Sequence, residues 1–188
     1  MDPEFDRRSR IARAHVEPGR LVLAGAQNAG KSTLFNRLLF RERALTGPLP
    51  GLTRDPVDEV TTLAGYPYRL VDTAGEGAAG SAVDRAAIAR GQQLRAGAIV
   101  LLVIDASVGP TAADRTIFAA ATRAANVLVV ANKADLPAAD WPADVPRDLA
   151  ITATADDPAT LRERFGEVLR ERRELPPAGP VGGPAALP

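Results

Sequence analysis

The sequence predicts an α/β fold with a mostly parallel six-stranded sheet and helices on both faces. Three observations lead there. Apolar runs bounded by Gly, Pro and polar turns alternate with helix-like segments, the pattern of repeated strand-helix units. Several runs, "AIVLLVI" at 98–104 above all, are continuous rather than alternating, as in strands covered on both faces. "AGYP" at 64–67 reads as a hairpin turn, making one strand pair antiparallel in an otherwise parallel sheet.

Taken in order, the strands are Arg20–Ala24 ("RLVLA"), Val57–Leu63 ("VDEVTTL"), Tyr68–Asp72 ("YRLVD"), Ala98–Ile104, Val127–Ala131 ("VLVVA") and Leu149–Thr152 ("LAIT"). Each is short and closes on Gly, Asp, Asn or a turn. The helices between them are Lys31–Phe40, Val83–Ala96, Ala112–Ala124 and Pro158–Arg172. No internal repeat is visible.

At 188 residues, 46% hydrophobic and 24% charged, the chain suits one soluble globular domain with a real core. A net charge of +0 gives no global basic surface for nucleic acid, and no run approaches the roughly 18 apolar residues of a membrane span. The absence of cysteine excludes disulfides and thiolate metal centres and suits a cytoplasmic protein. "MDPEF" at 1–5 reads like vector-derived residues on a fragment of a longer protein. Residues 6–19 form a basic leader carrying Arg7, Arg8, Arg10 and Arg13, read as a solvated linker or helix face rather than a nucleic-acid contact. Residues 20–173 make the main domain, and the Pro/Gly-rich stretch 174–188 reads as a flexible tail.

The chemistry starts at "GAQNAGKST" (25–33), directly after one strand and before a helix. In that context G-x-x-x-x-G-K-S lets the backbone amides of Gln27, Asn28, Ala29, Gly30, Lys31, Ser32 and Thr33 surround the oxygens of a di- or triphosphate. Lys31 would reach the β and γ phosphates and Ser32 would ligate Mg²⁺. "DTAG" (72–75) ends a strand, where Asp72 would hold Mg²⁺ through water and the Gly75 amide would meet a γ-phosphate. "NKAD" (132–135) selects the base: the Asp135 carboxylate can accept two hydrogen bonds from N1 and N2 of guanine, a donor pair adenine lacks. Asn132 would brace the loops while the Lys133 stem covers the base. In "TAT" (152–154), following the last strand from Thr152, the Ala153 amide would meet guanine O6.

In this order and spacing the motifs resemble small GTP-binding domains, P-loop NTPases of the Ras-like type, over about residues 20–170. More narrowly, "NAGKST", "PGLTRDPVDEV" (50–60), "DTAG", "VDRAAI" (83–88) and "NKAD" resemble the TrmE/Era/Der group of bacterial GTPases, TrmE-like or Der-like. The resemblance implies that Thr53 is the switch threonine whose hydroxyl binds Mg²⁺. It also implies that a potassium ion compensates charge between the β and γ phosphates, held partly by Asn28; the other reading of Asn28 is simple stabilisation of the loop.

Two acids compete to position the attacking water. Glu76 follows "DTAG" directly, but a carboxylate there sits near an anionic phosphate unless a cation intervenes. Asp84 stands twelve residues after Asp72, where the group carries a Glu one methylene longer, and is the preferred candidate. The resulting expectation is a Mg²⁺-dependent, potassium-stimulated GTPase switch acting in tRNA modification or ribosome assembly. The alternative is a module that senses GTP or GDP with negligible hydrolysis, which Leu52, Glu76 and Asp84 keep open. Expected partners are a guanine nucleotide, a second such domain met through the switch regions, and RNA or the ribosome met through domains outside this chain.

Overall fold

The computed structural model describes residues 3–39, 58–72, 98–123 and 127–177. In chain order the elements are α1 (Pro3–Val16), β1 (Gly19–Ala24), α2 (Lys31–Leu39), β2 (Asp58–Leu63), β3 (Tyr66–Asp72), β4 (Ile99–Asp105), α3 (Ala112–Arg123), β5 (Val127–Asn132), β6 (Leu149–Ala150) and α4 (Pro158–Arg172). The strands form one six-stranded sheet in the order β2-β3-β1-β4-β5-β6. Only β2 runs against its neighbour; all other pairs are parallel.

The continuous apolar strands separate into two cores by the period-two rule of a pleated strand. Leu21 and Leu23 of β1 join a core with Leu34, Phe35 and Leu38 of α2 and Leu161, Phe165 and Leu169 of α4. Val22 and Ala24, one residue out of phase, join a second core with Ile117 and Ala121 of α3. Both helical sets repeat at three and four residues, which places them on one stripe of each helix. Burying each of these large side chains is worth about 1.5–3 kcal/mol. At the start of α4, Asp157 accepts from the Thr160 amide at 2.9 Å and Pro158 opens the helix, so the boundary there has a local cause.

The hairpin differs from its sequence expectation. The turn is only Ala64 (φ 46°) and Gly65 (φ 80°), and β3 already starts at Tyr66, paired with Leu63. Pro67 made the strand look later than it is. With Leu63 and Tyr66 closing the turn, Pro67 opposite Thr62 falls on a pair that exchanges no ladder hydrogen bonds. Its missing N–H therefore points toward β1, which meets β3 only from Tyr68 onward. β6 is shorter than expected, because beyond Ala150 the chain turns to place Ile151 against Ala131 and Ala134. The expected helix 83–96, and the expected ends at Phe40, Val57 and Ala124, lie outside the described residues.

The basic leader contains a helix with an inner face. Ala14 is buried in the first core, Ile11 packs against it, and the His15 ring stacks on Tyr66 with centroids 4.5 Å apart. Leu175, just past α4, is buried in the same core, and the Tyr66 hydroxyl donates to the Pro176 carbonyl at 2.8 Å. No helix among the described residues is long and apolar enough to cross a membrane.

Candidate functional site

Parallel strands deliver their carboxyl ends to one edge of a sheet, and ligands of open α/β sheets bind there. At this edge β1 runs into residues 25–30, β4 ends on Asp105, β5 ends on Asn132, and the chain leaving β6 continues into 152–156. Asp72 ends β3 in register with Leu23, beside the start of the 25–30 loop.

The loop is shaped for close approach. Gly25 has φ 135°, and a Cβ there would stand 2.1 Å from the Val103 carbonyl oxygen. Gly30 has φ 94°, and a Cβ there would meet Asn132 Nδ2 at 2.1 Å. Neither position has room for a side chain. Lys31 is buried, and its ammonium donates to the Gly25 and Ala26 carbonyls at 3.1 and 2.7 Å, under the loop. Gln27 and Asn28 are exposed, Ala29 is buried, and Ser32 is exposed on the first turn of α2 with Thr33 half-buried behind it. Asn28 has φ 63°, a left-handed conformation that Asn tolerates better than most residues. Backbone geometry alone therefore accounts for an asparagine at this position.

Asn132 ties the edge together. Its Nδ2 donates to the Ala29 carbonyl at 2.8 Å, and its Oδ1 accepts from the Ala153 amide at 2.9 Å. One buried side chain thus spans the phosphate loop, its own loop and the loop after β6. The Ala153 N–H, expected to meet guanine O6, is donated to Asn132 in this structure, and Ala153 itself is buried. Thr152 is fixed by the Asp156 carboxylate, which accepts its amide at 2.8 Å. Asp135 is exposed in the turn after Lys133, and Ala134 donates to the Ile151 carbonyl at 3.0 Å, so this turn lies alongside the β6 loop.

Two supporting carboxylates had no place in the sequence reading of the site. Asp114, only 1% exposed, accepts the Ala26 amide at 3.0 Å through Oδ1; through Oδ2 it accepts the Thr111 amide at 3.0 Å and the Thr111 hydroxyl at 2.6 Å. The signal was present as T-x-x-D, a capping-box spacing at the start of α3. Asp105 accepts from Ser107 and receives the Lys133 ammonium at 2.5 Å. Burial alone would raise the Asp105 carboxyl, but the Lys133 and Ser107 donors outweigh it and hold it below the usual value. Lys133 itself has φ 60°, so its ammonium is anchored from a left-handed backbone.

These residues fit a nucleotide. The loop presents bare backbone at a helix N-terminus, and the buried Lys31 ammonium lies under it, as polyphosphate requires. No cluster of three His, Cys, Asp or Glu exists among the described residues. A divalent ion here would rely on isolated oxygens such as Ser32 and Asp72 together with phosphates and water, the usual manner of Mg²⁺. Thr53, Gly75, Glu76 and Asp84 lie outside the described residues.

Residues 20–133 match the family described as "50S ribosome-binding GTPase", which covers more than half of the chain. The chain belongs to this GTPase family. The family is one of GTPases, which implies a guanine nucleotide as ligand. Among curated relatives it is 43% identical over 153 residues to the tRNA modification GTPase MnmE of Synechococcus sp. (strain CC9605), covering 78% of this chain and 34% of that protein. It is 42% identical over 129 residues to the MnmE of Symbiobacterium thermophilum, covering 68% of this chain and 28% of that one. This GTPase therefore spans about a third of the length of those relatives, which agree with the TrmE-like of the two types, TrmE-like or Der-like, that the motifs resembled. Among solved structures, a probable GTP-binding protein engB superposes with TM-score 0.56 at 17% identity, over 81% of this chain and 99% of that one. The bacterial selenocysteine-specific elongation factor EF-Sec gives 0.55 at 15% identity, over 82% and 29%. At such identities these two speak for the fold alone, and they agree with the Ras-like P-loop architecture.

Proposed function

We propose that this GTPase is a Mg²⁺-dependent, potassium-stimulated hydrolytic switch that serves tRNA modification as part of a longer protein. The observation that carries the reading is the Asn132 bridge, which brings the phosphate loop, the "NKAD" turn and the β6 loop to one edge. The 43% identity to a tRNA modification GTPase supports the biological assignment.

In this reading Lys31 and the amides of residues 27–33 hold the β and γ phosphates, while Ser32, Asp72 and Thr53 supply oxygens to Mg²⁺. Bound Mg²⁺ neutralises charge on the phosphates during transfer. Asp135 reads guanine, with Lys133 lying over the base from its anchor on Asp105. Asp84 orients the attacking water, with Glu76 as the competing residue. Asn28 contributes its side-chain oxygen to a potassium ion, and a second copy of the domain meets this one through the switch segments.

Single-turnover hydrolysis in KCl and in NaCl tests the potassium step. Faster turnover in KCl, abolished by Asn28→Ala with GTP affinity retained, is the expected result; equal rates in the two salts would remove potassium from the scheme and leave the GTPase assignment standing. Under the same conditions Asp84→Ala should slow turnover more than Glu76→Ala. The reverse order would transfer the water-positioning role to Glu76.

A further inference from the structure

At the end of the sheet opposite the phosphate loop, a cavity of about 670 Å³ lies between α1, the start of β1, β3 and the end of α4. Arg20 at its floor is five strand residues from Gly25, roughly 17 Å away at 3.3 Å per residue. Five arginines line the cavity: Arg10, Arg13, Arg20, Arg69 and Arg173.

Arg20 and Arg69 are register partners on neighbouring parallel strands, which sets two cations side by side on one face of the sheet. Arg10 pairs with Glu174 at 3.1 Å, but Arg13, Arg20 and Arg173 have no ion-pair partner among the described residues. Arg20 Nε is buried without a hydrogen-bond partner, and the Arg173 guanidinium lies over the Tyr68 ring at 5.3 Å, beside the Tyr68 hydroxyl as a side-chain acceptor. Buried donors of this kind cost stability unless something accepts from them. Arg13 and Arg20 present guanidinium donors there, and such donors call for an acceptor with several oxygens and negative charge. Guanidinium groups match phosphate best, through paired N–H donors.

We propose that this cavity is a second anion site, independent of the nucleotide, that binds a small phosphorylated ligand. Its volume falls in the range of small-molecule sites. Asp6 and Glu17 also line it and would repel a long polyphosphate backbone, which favours a compact ligand over a nucleic-acid strand. Bound there, the phosphate would link α1 and the end of α4 to the start of β1.

The full chain saturated with Mg²⁺ and GDP, so that the phosphate loop is filled, can be titrated with inorganic phosphate at constant ionic strength while the Nε–H signals of Arg20 and Arg173 are followed by NMR. Saturable shifts of both signals are expected, with affinity about tenfold weaker in Arg20→Gln from loss of a charge-assisted hydrogen bond. Arg13→Gln, on the exposed face of α1, should also weaken binding and leaves the core untouched if the first variant folds poorly. Shifts that grow linearly without saturating, or that are unchanged in both variants, would overturn the proposal. Tighter binding of citrate than of phosphate, or binding of a short RNA without saturation by phosphate, would overturn it as well.

Discussion

The two ends of the sheet treat their polar groups in opposite ways. At the carboxyl end Asn132, Lys31, Asp114 and the Asp105–Lys133 pair all have partners, and most of those partners are backbone atoms of the nucleotide loops. At the amino end Arg20 Nε is buried unmatched, and Arg13 and Arg20 have no ion-pair partner among the described residues. The nucleotide end is thus preorganised by its own side chains, so binding there need not first order the loops. At the amino end the charges are assembled and the acceptor has to come from outside.

If that contrast is right, changes at the nucleotide end should be costly in proportion to how much fixed backbone they disturb. Gly25→Ala should do most harm, since its Cβ would meet the Val103 carbonyl oxygen, a backbone atom in a central strand that cannot step aside. A loss of at least about 3 kcal/mol in denaturant unfolding, with no measurable nucleotide binding, is expected. Gly30→Ala should cost less, because the atom it meets is the tip of the Asn132 side chain.

Asn132→Ala leaves the Ala29 carbonyl and the Ala153 amide without their partner. About 2–4 kcal/mol should be lost, and GDP affinity should fall by at least about tenfold, since both loops lose their common anchor. A variant that binds GDP normally would show that the loops are held by something else. Asp114→Ala removes the acceptor for Ala26 and Thr111 and should cost about 2 kcal/mol in unfolding.

The Asp105–Lys133 pair is half-exposed, so its effect should be smallest, below about 1 kcal/mol. Because the folded Asp105 carboxyl lies below its ordinary value of 3.8, its stabilisation is complete above that value and is lost as the pH falls through the lower folded value. Asp105→Asn should therefore be less stable than the parent at pH 7, with the gap closing in acid below pH 3.8. A gap that widens on acidification would show the carboxyl to be raised rather than lowered. At the amino end, by contrast, Arg13→Gln should shift stability by no more than about 0.5 kcal/mol in the absence of anion.

Much of this was legible in the sequence because it follows from local chemistry. The strand runs, the start of α4 at Pro158, and the grouping of "GAQNAGKST", "DTAG" and "NKAD" at strand ends rest on spacing alone. What could not be read came from pairing between distant segments. Pro67 suppressed a strand start that only the absence of β1 alongside it allows. Ala14 looked like part of a solvated basic stretch but is buried in the first core, and the exposed His15 stacks on Tyr66, far along the chain. The bond between the Ala153 amide and Asn132 joins the ends of neighbouring strands and had no local signal. Asp114 carried only a helix-capping signal; its bond to Ala26 spans 88 residues.

In the proposed guanine site, Asp135 is the residue assigned to select the base. Equilibrium dissociation constants of GTP and of xanthosine triphosphate for the parent chain and for Asp135→Asn test this most directly. The account predicts that the variant loses affinity for GTP and gains it for xanthosine triphosphate, because an amide presents a donor where guanine N2 needs an acceptor and xanthine offers an oxygen. Unchanged GTP affinity in the variant would contradict it.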